Sequence, residues 1–179
     1  MSVSLKETFL YFAYGSNLLK KRIRINNPSA HFIGIGKLDN HHLDFIKYSE
    51  NWRGSSATIV PVEGCHVWGA VWQLDIIDMP ALDIQEGVDT NWYFPKTVDI
   101  ITLHGETLQC RTYQQTVNPV PCKKIDELPE ERRPSSTYLE CILTGATECQ
   151  LPNDYIQNLR KIPHNGNEAS PKMIEKLKN

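Results

Sequence analysis

A buried strand that stops at a tight turn is the sequence feature that most limits how this chain folds. Residues 11–18 read YFAYGSNL, four aromatic or apolar residues followed by a glycine and two small polar residues. Gly15 permits close backbone approaches that a Cβ would prevent, and Ser16 or Asn17 is a preferred residue for capping a helix. The stretch predicts a strand over Phe9–Tyr14 that turns directly into a helix.

The start of that helix has two interpretations. Its first N–H groups have no partner within the helix, and together with the helix dipole they can hold a carboxylate, a phosphate or an oxyanion. Alternatively, the turn is structural, and water and Ser16 satisfy its donors. The sequence has no G-x-G-x-x-G, P-loop or G-x-S-x-G motif. It therefore offers no sign of a dinucleotide site, a P-loop phosphate site or a nucleophile elbow.

The order of the other elements favours an α+β fold. The first helix ends at Asn26-Asn27-Pro28, and a second, short helix over 78–87 lies between β-rich stretches. Asp78 as its cap, Pro80 in its first turn and Gly87 after its end are typical helix boundaries. Strands are predicted at His31–Leu38, Leu43–Ile46, Ala57–Val62, His66–Leu74, Trp92–Leu103 and Thr107–Gln115, and helices from Ser135 or Ser136 and from about Pro152. We expect a mixed sheet or barrel.

The length of 179 residues fits one domain, which we expect to span residues 1–179. Residues 116–137 are rich in proline and charge. We expect a surface loop there, because too little chain follows to build a second core. From about residue 163 the sequence is polar, and we expect a tail that frays at its end.

Composition and charge argue against several kinds of partner. Hydrophobic residues make up 40% of the chain and charged residues 22%, as in globular proteins. The net charge is −2 with scattered basic residues, so we predict no nucleic-acid and no membrane partner. The basic run KKRIR at 20–24 is interpreted as the solvated face of a helix. The first apolar run is too short for a membrane span or a signal segment.

The cysteines and histidines do not form a ligand pattern. The chain has five cysteines, an odd number without a C-x-x-C pair, and its six histidines are not at metal-ligand spacing. We therefore predict no metal site and free thiols in a reducing cytoplasm.

Five motifs in this order resemble the γ-glutamylcyclotransferase family. They are YFAYGSNL at 11–18, VWGAVWQL at 67–74, LDIQEGV at 82–88, CRTY at 110–113 and STYLECILTGA at 136–146. The resemblance covers roughly Phe9 to Ile162, and the pairing of YGSNL with QEGV is its most specific part. It implies a small mixed β-barrel flanked by α-helices, no metal, no organic cofactor and a homodimer. It also implies an enzyme that converts a γ-glutamyl-amino acid into 5-oxoproline and the free amino acid.

The resemblance assigns roles to particular residues. The family's catalytic glutamate corresponds to Glu86. Asp83, one turn earlier, is a competing carboxylate, which we interpret as a surface residue or as a support for the site. The substrate-binding residues correspond to Tyr11, Phe12, Ala13, Tyr14, Gly15, Ser16, Tyr93, Tyr113 and Tyr138. Composition alone instead favours an exposed residue at a helix end for Glu86, and core or barrel-wall aromatic residues for the tyrosines, so only the resemblance assigns them to a site.

The chemistry explains why a glutamate suits this reaction. The substrate's α-amine is an ammonium at neutral pH, and it must lose a proton before it attacks the γ-carbonyl carbon. The leaving nitrogen must gain one. A single carboxylate can do both when its pKa is nearer neutrality than the usual value of about 4.3. We expect a raised pKa for Glu86, because the last turn of a short helix would expose it to the negative end of the helix dipole and a barrel mouth would bury it.

Other functions on the same fold stay open. One is a related enzyme that acts on γ-glutamylamines, another is a cyclotransferase specific for glutathione, and a third is a non-catalytic binding protein. The segment 116–137 is longer and more charged than the family pattern. If it covers the pocket, it alters which γ-glutamyl substrates fit.

Overall fold

A closed barrel of five strands forms the centre of the computed structural model, which describes residues 5–117, 120–122 and 124–179. The strands are β1 Thr8–Ala13, β2 His31–Ser49, β3 Gly54–Asp75, β4 Tyr93–Thr102 and β5 Thr107–Gln115. The helices are α1 Lys20–Asn26, α2 Met79–Gln85, α3 Ser136–Glu148, α4 Asn153–Arg160 and α5 Pro171–Lys178. A mixed barrel with flanking helices confirms the predicted α+β fold class.

The strand order around the barrel is β1–β3–β2–β4–β5. Neighbouring strands are antiparallel except β1 and β5, which pair in parallel where Tyr11 is opposite Arg111. This parallel contact closes the barrel. It also brings the end of β1, and the turn that follows it, next to the strand that carries Tyr113.

Four of the predicted strands merge into two long ones. β2 has 19 residues and β3 has 22, and they pair along most of their length. Their register shifts between Phe32 and Gly34, between Asp39 and His41, and between Phe45 and Tyr48. Because such irregularities bend a strand without ending it, the polar residues interpreted as strand ends lie inside one continuous hairpin.

One cluster of buried apolar side chains joins the barrel strands to α1 and α3. Ile23 of α1 and Ile142 of α3 are both fully buried in it. Gly145 lets α3 lie directly against the chain that follows β1, because a Cβ there would be 2.5 Å from the Leu18 carbonyl carbon and the Leu19 nitrogen. The turn after β1 is therefore held between the barrel and α3.

The chain after residue 163 ends in a helix, although its polar sequence predicted a tail that frays at its end. The Ser170 hydroxyl caps α5 by accepting a hydrogen bond from the Met173 amide at 3.2 Å, and the Ser170 amide donates to the Asn51 carbonyl at 2.8 Å. Met173 is buried, and Ile174 and Leu177 pack against the core. These few apolar residues among lysines were too sparse a signal to predict a docked helix.

Residues 116–137 contain two short 3-10 turns, at Ile125–Glu127 and Glu130–Arg132. The segment is partly anchored, because Leu128 is buried and Arg132 pairs with the fully buried carboxylate of Asp44. The prediction of a surface loop also covers residues 118, 119 and 123, which lie outside the described residues.

Candidate active site

The chain leaves β1 through Gly15 and makes one 3-10 turn, Ser16–Leu18, before α1 begins. The predicted helix therefore starts later than expected, and neither Ser16 nor Asn17 caps it with a side chain. The reason is that the Asn17 side chain hydrogen bonds elsewhere, toward α2.

Gly15 is needed for space. Its φ of −114° is open to other residues, but a Cβ there would lie 3.3 Å from the Ala57 Cβ and 3.4 Å from the Tyr138 hydroxyl oxygen. A larger side chain would have to displace these groups. Gly15 thus keeps the turn close to β3 and α3.

The Asn17 side chain connects the turn to the end of α2. Its Nδ2 donates to the Tyr11 hydroxyl at 3.1 Å and to Glu86 Oε1 at 3.5 Å. Its Oδ1 accepts from Gln85 Nε2 at 3.5 Å, and Gln85 Oε1 accepts from Asn27 Nδ2 at 3.0 Å. Asn17 therefore helps to position the Glu86 carboxylate, instead of capping the helix as its place in the sequence predicted.

Glu86 is placed by the way α2 ends. It keeps a helical backbone conformation, and Gly87 then turns to a φ of +65°, which ends the helix as its sequence position predicted. Pro80 lies in the first turn, also as predicted, whereas the Asp78 side chain does not cap α2. The Asp78 carboxylate instead accepts a hydrogen bond from the Ser29 hydroxyl.

The electrostatic surroundings of Glu86 favour proton transfer. Its pKa is raised from about 4.5 to about 7, chiefly because its site is shielded from water. The positive charge of Arg22 opposes the rise in the pKa of Glu86, and the negative charge of Asp83 adds to it. A carboxyl group that is partly protonated near neutral pH can both accept and donate a proton.

Two adjoining cavities meet at Glu86. The inner one has a volume of about 40 Å³ and the outer one about 260 Å³. The inner cavity is lined by Glu86, Gly15, Ser16, Asn17, Ala57, Tyr11, Tyr14, Tyr93, Tyr113 and Tyr138. The outer cavity shares Ser16, Asn17, Glu86, Tyr93 and Tyr138 with it. Glu86 is the only carboxylate among the described residues that line either cavity.

The structure brings most of the predicted site residues together. Phe12 and Ala13 are the exceptions, because both side chains are buried in the core and neither residue lines the cavities. Within 116–137, the described residues line neither cavity either.

Two of the tyrosines hold the backbone of Ala57 on β3. The Tyr93 hydroxyl donates to the Ala57 carbonyl, and the Tyr138 hydroxyl accepts from the Ala57 amide at 2.9 Å. Burial raises the pKa of Tyr93 and of Tyr138 above the ordinary value. Both side chains therefore face the cavity as neutral hydroxyls at physiological pH.

Asp83 forms hydrogen bonds with two residues, one of which, Tyr113, lines the inner cavity. It accepts a hydrogen bond from the Tyr113 hydroxyl and a two-pronged contact from Arg111, whose Nη2 lies 2.9 Å from both carboxylate oxygens. Burial raises the pKa of Tyr113, and the hydrogen bond to Asp83 raises it further. Asp83 thus holds the Tyr113 hydroxyl and the Arg111 guanidinium, and it lines neither cavity itself.

Arg22 corrects the interpretation of the basic run as a solvated face. Its side chain is only 9% exposed, lines the outer cavity and lies over Trp52, with 5.6 Å between the guanidinium carbon and the ring centroid. Lys20 and Lys21 are exposed as expected. The inward-facing Arg22 is three residues from buried Leu19, a helical spacing that could have identified it.

Further features of the described residues bear on ligands and location. No group of three or more His, Cys, Asp or Glu side chains within them could hold a metal ion. All five cysteines lie in this part of the chain as free thiols. None of its helices is both long and apolar enough to cross a bilayer.

Comparison with known proteins agrees with the motifs. The model of the AIG2-like family matches residues 66–159. The gamma-glutamylcyclotransferase of Bos taurus is 41% identical over 163 residues, 89% of this chain and 81% of the bovine protein. The Homo sapiens protein of that name is 39% identical over 164 residues, with the same coverage. A solved structure of a gamma-glutamyl cyclotransferase superposes with a TM-score of 0.84 at 36% identity, covering 96% of this chain and 99% of that one. The chain therefore belongs to the γ-glutamylcyclotransferase family of enzymes.

Proposed function

We propose that this protein converts γ-glutamyl-amino acids into 5-oxoproline and the free amino acid, with Glu86 as the proton carrier. The observation that carries the proposal is the position of Glu86. Its carboxylate, with a pKa of about 7, lines the same cavity as the Gly15–Ser16 turn. The similarity of the chain to proteins named gamma-glutamylcyclotransferase supports the reaction type.

In the proposed reaction, Glu86 moves protons between two nitrogens. The substrate's α-ammonium gives a proton to the carboxylate, and the neutral nitrogen then forms a bond to the γ-carbonyl carbon. As the tetrahedral intermediate collapses, the bond to the leaving nitrogen breaks. The attacking nitrogen loses two of its three protons to become the ring N–H, and the leaving nitrogen gains two to become an ammonium. A carboxylate that accepts a proton and returns it, twice in succession, can carry both protons from the attacking nitrogen to the leaving nitrogen.

The inner cavity supplies the positioning. Ring closure is intramolecular, so holding the γ-glutamyl chain folded contributes much of the rate enhancement. We assign the backbone amides of Gly15 and Ser16 to the γ-carbonyl oxygen or the α-carboxylate, where they stabilise negative charge. We place the γ-carbonyl end of the γ-glutamyl group in this cavity, among the remaining predicted site residues Tyr11, Tyr14, Tyr93, Tyr113 and Tyr138.

The experiment that tests this proposal is a substrate comparison with purified protein. Mass spectrometry would follow 5-oxoproline released from γ-glutamyl-alanine, γ-glutamyl-ε-lysine and glutathione. We expect γ-glutamyl-alanine to be the preferred substrate. Preference for γ-glutamyl-ε-lysine would instead indicate a γ-glutamylamine enzyme, and preference for glutathione a glutathione-specific one. Failure to release 5-oxoproline from all three would favour a non-catalytic binding protein.

We also propose that the enzyme is a cytoplasmic homodimer that needs no cofactor and contributes to glutathione metabolism. The five free thiols support a reducing compartment. Sedimentation velocity tests the homodimer, which predicts twice the monomer mass of 20.5 kDa.

A further inference from the structure

A buried cation lines the outer cavity. Arg22 is 9% exposed, and its Nε is buried and donates to no acceptor among the described residues. The ion pairs formed among the described residues do not include Arg22. Because an unsatisfied charged donor is unfavourable in a folded protein, its retention here indicates an anionic partner from outside the chain.

The guanidinium is held rigidly enough to bind such a partner. It lies over the face of Trp52, which is itself buried and packs against Tyr138 with 4.8 Å between ring centroids. Tyr138 lines both cavities. Arg22 is therefore fixed relative to the inner cavity, and its planar fork suits a carboxylate.

The outer cavity has a positively charged group that can attract an anion. Arg22 and Glu86 are the charged residues among those described along its lining, and the rest are neutral. The two do not form an ion pair, although the positive charge of Arg22 opposes the rise that burial causes in the pKa of Glu86. Trp92 and Met173 provide apolar surface in the same cavity.

We propose that the outer cavity is a subsite for the leaving amino acid and that the Arg22 guanidinium binds its α-carboxylate. The inference rests on the proposed function, which places the γ-carbonyl end of the γ-glutamyl group in the inner cavity beside Glu86. The leaving amino acid then extends into the outer cavity, where Trp92 and Met173 contact its side chain. A γ-glutamylamine has no carboxylate at this position, so Arg22 selects for α-amino acids.

A pair of matched substrates tests the subsite. γ-Glutamyl-alanine and γ-glutamyl-ethylamine differ only in the α-carboxylate, and a charged hydrogen-bonded contact changes kcat/KM by about tenfold to a hundredfold. We expect the unmodified enzyme to prefer γ-glutamyl-alanine by that factor. Arg22→Met retains an apolar contact with Trp52 and should abolish the preference, mainly by raising KM for γ-glutamyl-alanine. Arg22→Lys, which keeps the charge, should restore part of it.

The controls separate the subsite from other effects of Arg22. Lys21→Met removes an exposed cation from the same helix and should leave the preference unchanged. A change in the pKa of Glu86 would alter both substrates alike, so the ratio of their kcat/KM values reports the carboxylate contact. The proposal is overturned if the unmodified enzyme uses both substrates equally, or if Arg22→Met lowers both by the same factor.

Binding provides a readout that does not require turnover. Calorimetry with the Glu86→Gln variant should give a Kd for γ-glutamyl-alanine that is about tenfold to a hundredfold lower than for γ-glutamyl-ethylamine. Adding Arg22→Met to this variant should remove the difference. Equal Kd values for the two substrates in the Glu86→Gln variant alone would contradict the subsite. If the protein binds γ-glutamyl-alanine selectively through Arg22 but releases no 5-oxoproline even with Glu86 unmodified, the proposed function is refuted and the subsite is not. If Arg22→Met does not fold, the same comparison with Arg22→Lys decides.

Discussion

Asn17 Nδ2 lies 3.5 Å from Glu86 Oε1 and joins two segments that are 69 positions apart in the sequence. The same nitrogen is 3.1 Å from the Tyr11 hydroxyl oxygen. The turn after β1 and the end of α2 thus share one side chain, and the proposed proton carrier is oriented by the segment proposed to bind the substrate.

Asn17→Ala should lower kcat by about tenfold and leave the fold intact, because Glu86 would lose a positioning hydrogen bond. Steady-state kinetics with γ-glutamyl-alanine measures the effect. Asn17→Asp places a second negative charge beside Glu86, and it should move the pH midpoint of kcat/KM upward. An unchanged midpoint in Asn17→Asp would show that Asn17 does not act through Glu86.

The pH dependence of kcat/KM should reflect the ionisation of Glu86. Because the carboxylate is the base and its pKa is about 7, activity should rise from pH 5.5 to pH 8 with a midpoint near 7. Initial rates of 5-oxoproline release give the profile. A midpoint between about pH 4 and pH 5, the ordinary range of a glutamate, would mean that the active base is not a shielded carboxylate.

The Glu86→Gln variant should be more stable than the unmodified protein at alkaline pH. Glu86 ionises near 4.5 when solvated and near 7 in the fold, so between these values the folded protein binds more protons than the unfolded chain. The free energy of unfolding therefore falls as pH rises through this window. Glutamine does not ionise, so the Glu86→Gln variant does not lose this part of its free energy of unfolding.

Thermal unfolding measures this effect. We expect Glu86→Gln to raise Tm at pH 8 by at least about 2 °C and to leave it unchanged at pH 4. A Tm difference that is the same at both pH values would be due to something other than the ionisation of Glu86.

Gly15→Val should lower kcat/KM by about a hundredfold or more, because its Cγ atoms must enter the inner cavity near Ala57 and Tyr138. Gly34→Val is the matched control, since nothing lies within 4 Å of a Cβ at Gly34. Circular dichroism would verify that both variants fold. Normal activity in Gly15→Val would show that the turn is only structural.

Features with a local cause could be predicted from the sequence. Gly87 marks the end of α2 because a φ of +65° favours glycine, and that marker placed Glu86 at a helix end. The aromatic run of β1 followed by Gly15 likewise predicted a strand and a turn. The role of Glu86, by contrast, depended on the resemblance to a family, because nothing local distinguishes it from an exposed glutamate.

Features that depend on tertiary contacts could not be predicted. Asn17 reaches Glu86 because the barrel brings α2 to the turn, and local sequence alone indicated a cap. The lysines of the basic run are solvated, and the spacing of Arg22 from Leu19 indicates an inward position, but the contact of Arg22 with Trp52 became evident only from the fold. The bends that keep β2 and β3 continuous likewise arise from strand pairing, which residue type alone does not encode.

The central claim is that Glu86 carries the protons of ring closure, and 5-oxoproline release by Glu86→Gln tests it most directly. Glu148→Gln is the matched control, because Glu148 is an exposed glutamate at the end of α3. At pH 7.5 with γ-glutamyl-alanine, we predict that Glu86→Gln loses at least about a thousandfold in kcat, while Glu148→Gln retains full activity. A folded Glu86→Gln enzyme with the kcat of the unmodified protein would contradict the account.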